Sequence, residues 1–294
     1  MQFFSYLING ISLGSVYALI ALGYTMVYGI AKMLNFAHGD VIMIGSYVVY
    51  FAFGASGLNP VLSIVLSMIV CTILGVVIER LAYRPLREAP SLAVLITAIG
   101  VSYLLQQVAQ LSWSSNPKSF TSVVSGMKPV SLFGGQLTIS AETIVTIVAC
   151  VVIMVVLMWF VNYTPAGHAM LAVSEDRGAA QLMGVNVNGT ISLTFAIGSA
   201  LAAIAGVLLC SFNTSLMPTT GSMPGIKAFT AAVFGGIGSI PGAFLGGLLL
   251  GIIEAMAKAY ISTNLANSIV FAVLIVVLLV KPAGLLGKSV TEKV

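Results

Sequence analysis

Long uncharged stretches alternate with short polar ones along almost the whole chain. Apolar runs cover residues 6–31, 41–53, 60–78, 91–111, 141–161, 190–212, 228–233, 243–253 and 264–280. Runs of about 18 or more such residues read as membrane helices. The first is broken only by neutral polar residues, among them Asn9, Ser12, Ser15 and Thr25, and its Gly10 and Gly14 have the spacing of close helix contact. Gly198, Ala202 and Gly206 form a second small-residue stripe, and Gly242/Gly246 and Gly247/Gly251 repeat the spacing. Two segments are short: 41–53, and 226–236, which ends at the Gly-Pro-rich turn 235–242.

The charges orient these runs. Arg80, Arg84 and Arg87 stand together after the third run, so that loop is expected inside the cell. Counting back puts Lys32 inside and the N-terminus outside. Counting forward puts the polar connection 114–140 outside, 163–189 with Arg177 inside, and residues 213–225 outside as a turn region. The tail lysines Lys281, Lys288 and Lys293 fall inside if residues 228–253 make two passes. The predicted architecture is all-α and polytopic, with about 8–10 transmembrane segments in two inverted halves and short or broken helices. One membrane domain spans residues 1–294. Its first half runs over about 6–112, a connecting segment over 140–162, a cytoplasmic loop over 163–189, and the second half over 190–281. Short segments at matching places in two inverted halves point to a transport path.

Composition agrees. The 294 residues are 59% hydrophobic and only 7% charged, with a mean hydropathy of +1.09; soluble domains average about 25% charged. The formal net charge of +4 sits at the ends of apolar runs and does not point to nucleic acid. Cys71, Cys150 and Cys210 each lie inside an apolar run and read as packing residues. The first run has no basic residue before it and is too long for a signal peptide, so it is expected to be retained as a span.

Two polar islands stand out. Ser174 to Gly184 contains three consecutive charges, Glu175, Asp176 and Arg177. Ser174 suits a helix N-cap, Glu175 and Asp176 a first turn, and Gly184 a stop. Ala179, Leu182 and Met183 then make one apolar face. Such a helix can lie in another protein's groove; an ordinary solvated loop fits the residues equally well. The other island, around Asn35, His38 and Asp40, opens the short second run. Either Asp40 caps an interfacial helix and His38 is a surface residue, or the span is broken there and lines a passage.

Other chemistry is missing. The chain has no phosphate-binding Gly-x-x-x-x-Gly-Lys-Ser/Thr loop, no Gly-x-Ser-x-Gly elbow, and no histidine pair at metal-ligand spacing, so it is not expected to be an enzyme or to hold a metal or cofactor. Few acids lie within spans, which argues against a proton relay.

The blocks Gly-Tyr-Thr-Met-Val-Tyr-Gly at 23–29 and Asn-Phe-Ala-His-Gly-Asp at 35–40 resemble the opening signature of permease subunits of bacterial branched-chain amino-acid ABC transporters. Glu175, Asp176, Arg177, Ala179, Ala180 and Gly184 resemble a divergent form of the ABC-permease loop that docks ATPases. Residues 234–243 and 281–287 also resemble family signatures, and the length resembles the smaller, H-type permease. The resemblance implies a multi-pass protein of the bacterial inner membrane, a second homologous permease subunit, two ATP-binding subunits and an external solute-binding protein. ATP and Mg are used by the partners, with no cofactor in this chain. Leucine, isoleucine and valine are the implied substrates, with urea, short amides or other amino acids as the alternative; a stand-alone carrier or channel is the contrasting class. Glu175 to Gly184, including Leu182 and Met183, would receive the ATPase stroke. Asn35, His38, Asp40 and the Gly235, Gly236, Gly238 and Gly242 turn are expected near the path.

Overall fold

The computed structural model of the chain describes residues 2–124, 126–132 and 137–287. Its helices are α1 (Gln2–Ala31), α2 (His38–Val49), α3 (Pro60–Ile78), α4 (Ser91–Trp113), α5 (Ala141–Tyr163), α6 (Pro165–Glu175), α7 (Arg177–Leu182), α8 (Val187–Phe212), α9 (Ser222–Gly235), α10 (Ile240–Tyr260) and α11 (Ala266–Val280). A π-helical turn, Tyr50–Ala55, continues α2, and another, Glu79–Tyr83, continues α3. Four short strands lie between helices: β1 (Lys118–Ser119), β2 (Val130–Leu132), β3 (Leu137–Ile139) and β4 (Ser215–Leu216). β1 pairs with β4 and β2 with β3, both antiparallel.

Among the described residues, α1, α3 with its continuation, α4, α5, α8 and α10 are long and apolar enough to cross a membrane. The remaining apolar segments α2, α9 and α11 are shorter. The starts are written locally. Asn59, Ser140, Thr164, Asp176, Asn186 and Ser239 each accept a backbone N–H of the first helical turn, and Pro60, Pro165 and Pro241 occupy first-turn positions where no N–H is needed.

The two halves pack by exchange. Matching α1–α4 with α8–α11 in order, α3 packs on α8 as α10 packs on α1, and α2 packs on α8 as α9 packs on α1. α2 also packs on α3 as α9 does on α10. α1 and α8, in contact with each other, are the most enclosed spans, and α5 joins the halves. The small-residue stripes are where backbones touch. A Cβ on Gly14 would sit 2.7 Å from the Leu248 carbonyl, and Gly247 lies against Ala18. On α8, a Cβ on Gly206 would sit 2.5 Å from the Ile42 carbonyl. All three cysteines are buried and free.

Contacts define two ends. At one, Arg87 donates to Asn188 and to buried Glu79, Arg177 donates to the Ala31 carbonyl, and Leu285 N–H donates to Phe234 O. This end gathers Lys32, Arg80, Arg84, Arg87, Arg177 and Lys281 and is the inner face. Lys288 and Lys293 lie outside the described residues. At the other end β1 meets β4, Tyr6 packs edge-on to Tyr260, and Ser122 donates to Glu142.

Three expectations on boundaries are corrected. α2 begins at His38, not at 41, because the polar residues before the apolar run face protein rather than water. Residues 222–225, expected in an outer turn, are the first turn of α9; Pro224 fits there because a first-turn N–H has no helical acceptor. Residues 163–189 hold two helices separated at Asp176. Ser174 does not N-cap: it lies in the last turn of α6 and its hydroxyl donates back to Leu171 O.

The end assignment is checked by labelling. Cysteine in place of exposed Thr121 should react with an impermeant maleimide added to cells, and cysteine in place of exposed Glu175 only after the membrane is opened.

Candidate functional site

The short helices α2 and α9 start at the same place. Gly221, the N-cap of α9, lies with its α-carbon against the Gly39 carbonyl, and Gly225 lies against the Gly39 α-carbon. From there α2 runs to the outer end, where Tyr47 stacks 4.4 Å from Trp113, and α9 runs to the inner end, where Gly236 meets Gly287. Two half-length helices thus meet N-terminus to N-terminus inside the bundle. The arrangement puts two positive dipole ends at one point.

His38 and Asp40 flank that point, both buried. The His38 ring packs 4.7 Å from the Tyr24 ring and fills the space a Cβ on Gly23 would need. Neither ring nitrogen has a hydrogen-bond partner. Of the two readings of this island, the one with Asp40 capping α2 and His38 at the surface does not hold: His38 is buried and Asp40 does not cap. Ala37 is the N-cap, without a side-chain bond. Asp40 lies in the first turn, where a carboxylate suits the dipole, and accepts from the Gln106 amide of α4 at 2.9 Å. The same nitrogen is 3.3 Å from the Ser222 hydroxyl on α9, so Gln106 spans the junction. Asn35 accepts from the Tyr83 hydroxyl at 2.9 Å and ties the loop before α2 to the end of α3.

The glycines Gly235, Gly236, Gly238 and Gly242 are elsewhere. They form the α9–α10 turn at the inner end, with Gly236 (φ 107°) and Gly238 (φ 94°) in backbone conformations that favour glycine. Residues 284–287 dock on them: Leu286 N–H donates to Gly235 O, and Gly284 packs on Gly236. The turn reaches α1 at Gly29, about 9 Å of helix rise from Gly23. It shapes the inner end rather than touching His38 or Asp40.

Outward of the junction the chain encloses an ionic cluster that the sequence reading missed. Glu254 on α10 accepts from Lys227 at 2.7 Å, from Lys258 at 2.6 Å and from the Tyr17 hydroxyl at 2.9 Å. Lys227 and Glu254 are buried, and Lys258 is half-exposed. Glu254 and Lys258 follow the apolar run 243–253 in the sequence. The available signal was lone opposite charges inside two apolar segments joined by a tight turn, which in a membrane implies a partner. The cluster floors a cavity of about 750 Å³ that also touches Asn213, Thr214 and Ser215 at the outer end. No group of three metal-ligating side chains occurs among the described residues.

At the inner face, the Asp176 carboxylate accepts from Ala179 N–H at 2.9 Å and caps α7. α7 ends at Leu182, and Gly184, just past its cap, has a φ of 84° and makes the expected stop. Ala180 is turned inward, whereas Leu182 and Met183 are 90% and 84% exposed. Arg177 anchors this knob to the last carbonyl of α1, a helix C-terminus that favours a cation. Burial, and after it the neighbouring Arg87 charge, lowers the Arg177 pKa from its ordinary value.

Comparison with known proteins gives one consistent result. A family model described as "Branched-chain amino acid transport system / permease component" matches residues 6–279. The high-affinity branched-chain amino acid transport system permease protein LivH of Salmonella typhimurium is 45% identical, covering 100% of this chain and 98% of that protein. The corresponding BraD of Pseudomonas aeruginosa is 45% identical over 98% of this chain and 97% of its own. More distantly, the fructose import permease protein FrcC of Rhizobium meliloti is 29% identical over 67% of this chain and 55% of its own.

The junction's closeness is testable. Gly221→Ala should cost more than about 3 kcal/mol, because the Gly39 carbonyl occupies the space and backbone cannot move aside cheaply. Gly100→Ala, with open space around it, should be neutral or better. Thermal unfolding in detergent compares the two.

Proposed function

Because the chain belongs to the branched-chain amino acid transport permease family, we propose that it is the translocating subunit of an ABC importer for leucine, isoleucine and valine, driven from its inner face by separate ATPases. It is a multi-pass membrane permease of the bacterial inner membrane. The substrate reading is supported by relatives of that name that match along their full length. In the proposed assembly it pairs with a second homologous permease, two ATP-binding subunits and an external solute-binding protein. ATP and Mg are used by the ATP-binding subunits, and this chain carries the substrate without making or breaking covalent bonds.

The observation that carries the ATP-driven part is the knob. Leu182 and Met183 stand side by side in water at the inner face, on a capped helix. Two large exposed apolar side chains on a charged protrusion fit the groove of a partner. Glu175, Asp176 and Ala179 are exposed on the same protrusion, and Ala180 is buried beneath the helix. A push on α7 reaches α1 through Arg177, and α1 leads through residues 32–37 to His38 and Asp40.

Leu182→Glu with Met183→Glu should lower ATP-dependent leucine uptake at least about tenfold in vesicles holding the full transporter, while insertion and thermal stability stay unchanged, since both side chains lie in solvent. Ala180→Glu should fail differently, by destabilising the loop. Unchanged uptake in the double variant overturns the docking role. Leucine uptake by the chain without ATPases overturns the importer reading.

A further inference from the structure

The ionic cluster in the outer half does more than join three helices. Its charges do not balance: Lys227 and Lys258 carry two positive charges and Glu254 one negative, all at the floor of the same cavity. Three of the roughly four acceptor sites of Glu254 are taken: one oxygen accepts both ammonium groups and the other accepts from Tyr17. The lysines are less satisfied. Each ammonium has three donors. Lys258 uses one on Glu254, and Lys227 uses one on Glu254 and a long contact of 3.4 Å to Tyr17. Lys227 also lies 5.7 Å above the Tyr17 ring, which helps hold the charge at depth. A structural ion pair needs one lysine; the second leaves a net cation facing a partly open cavity.

The rest of the lining is mixed. Leu13, Val16, Leu209, Met217 and Met223 share it with polar groups such as Asn9, Ser12 and Thr220. Methionine adapts its shape to differently branched apolar groups. Apolar side chains beside polar groups can hold a small amphiphilic ligand, and about 750 Å³ falls within the usual range. An excess cation at the floor selects a carboxylate; adaptable apolar walls select an aliphatic side chain.

We propose that this outer cavity is a binding station for the incoming amino acid, with its carboxylate on Lys258 and Lys227 and its side chain against the methionine wall. The inference rests on the amino-acid importer reading. It places the station on the outer side of the Gly39–Gly221 junction, before the passage closes. Binding is weak, with a Kd on the order of 1 mM, as suits a site that must release its ligand.

The test uses the full chain alone in nanodiscs, so that it does not depend on ATPases or a receptor. Ser215→Cys puts a thiol on the cavity lining, and an impermeant maleimide reports its access; the native cysteines are buried. Leucine at 10 mM should slow labelling about tenfold, as mass action at that Kd requires. Isovalerate, which keeps the carboxylate, should protect. Isoamylamine, which lacks it, should not. Lys258→Met should abolish protection by leucine and Lys258→Arg should retain it. Equal protection by isoamylamine, or none by leucine, overturns the proposal, and this comparison needs no lysine variant to fold. If leucine protects but the assembled transporter does not import it, the station stands and the importer reading falls. If the transporter imports leucine without protection here, the station falls alone.

Discussion

A helix that begins inside a membrane must find partners for its first backbone N–H groups without water. This chain meets that demand twice at one point. Before α2, a tight turn lets Ala37 O accept from Asp40 and Val41, and Asn35 O from His38. Before α9, Met217 O accepts from Thr220, and Thr219 O from Ser222. Both turns are compact because glycine lets the two backbones touch, Gly39 on one side and Gly221 and Gly225 on the other. The half-length helices, the exchange of packing partners between halves and the burial of His38 and Asp40 all depend on that contact.

α1 connects what the junction separates. Tyr17 donates to Glu254 in the outer cluster, Gly23 and Tyr24 hold His38 at the junction, and the Ala31 carbonyl receives Arg177 from the inner knob. Successive points are about 10 Å apart at the α-helical rise. The helix is also the most enclosed, because Gly10, Gly14 and Ala18 bring α10 to backbone distance along its outer half. A displacement at the knob therefore acts on a stiff rod bound closely to α10, not on a loop.

The sequence made most of this architecture readable. Run lengths marked the spans, and the two short runs at matching places marked α2 and α9. Small-residue spacing marked the α1–α10 and α8 contacts, and Gly184 marked the end of α7. What it hid has physical causes. Apolar runs show where side chains meet lipid or core, so the polar turn His38–Asp40, which faces protein, was read as lying outside the helix, and Ser222–Gly225 was read as a loop because Pro224 and Gly225 are turn residues as well as first-turn residues. The pairing of Lys227 with Glu254 was hidden because each charge stands alone in its segment, and only the antiparallel fold of α9 on α10 sets them 2.7 Å apart. The break at Asp176 was visible as Thr164-Pro165 and Asp176 capping signals, which a single-helix reading of the island merged.

The contacts across the bundle differ in strength. The outer cluster joins α1, α9 and α10 through charged hydrogen bonds among buried groups, which are costly to part. The junction is held differently. No backbone hydrogen bond joins Gly39 to Gly221 among those of the described residues; the contact is van der Waals, with Gln106 reaching across to Asp40 and Ser222. Gln106 has two N–H donors on that nitrogen for three oxygens within 3.3 Å, Ser102 included, so at least one of the three bonds is always unmade. Its helix, α4, is also the least enclosed of the spans. A clasp with interchangeable partners, carried by the most loosely packed helix, gives way before an ion cluster does. α9 and α10 are thus tied to α1 more strongly than α9 is tied to α2.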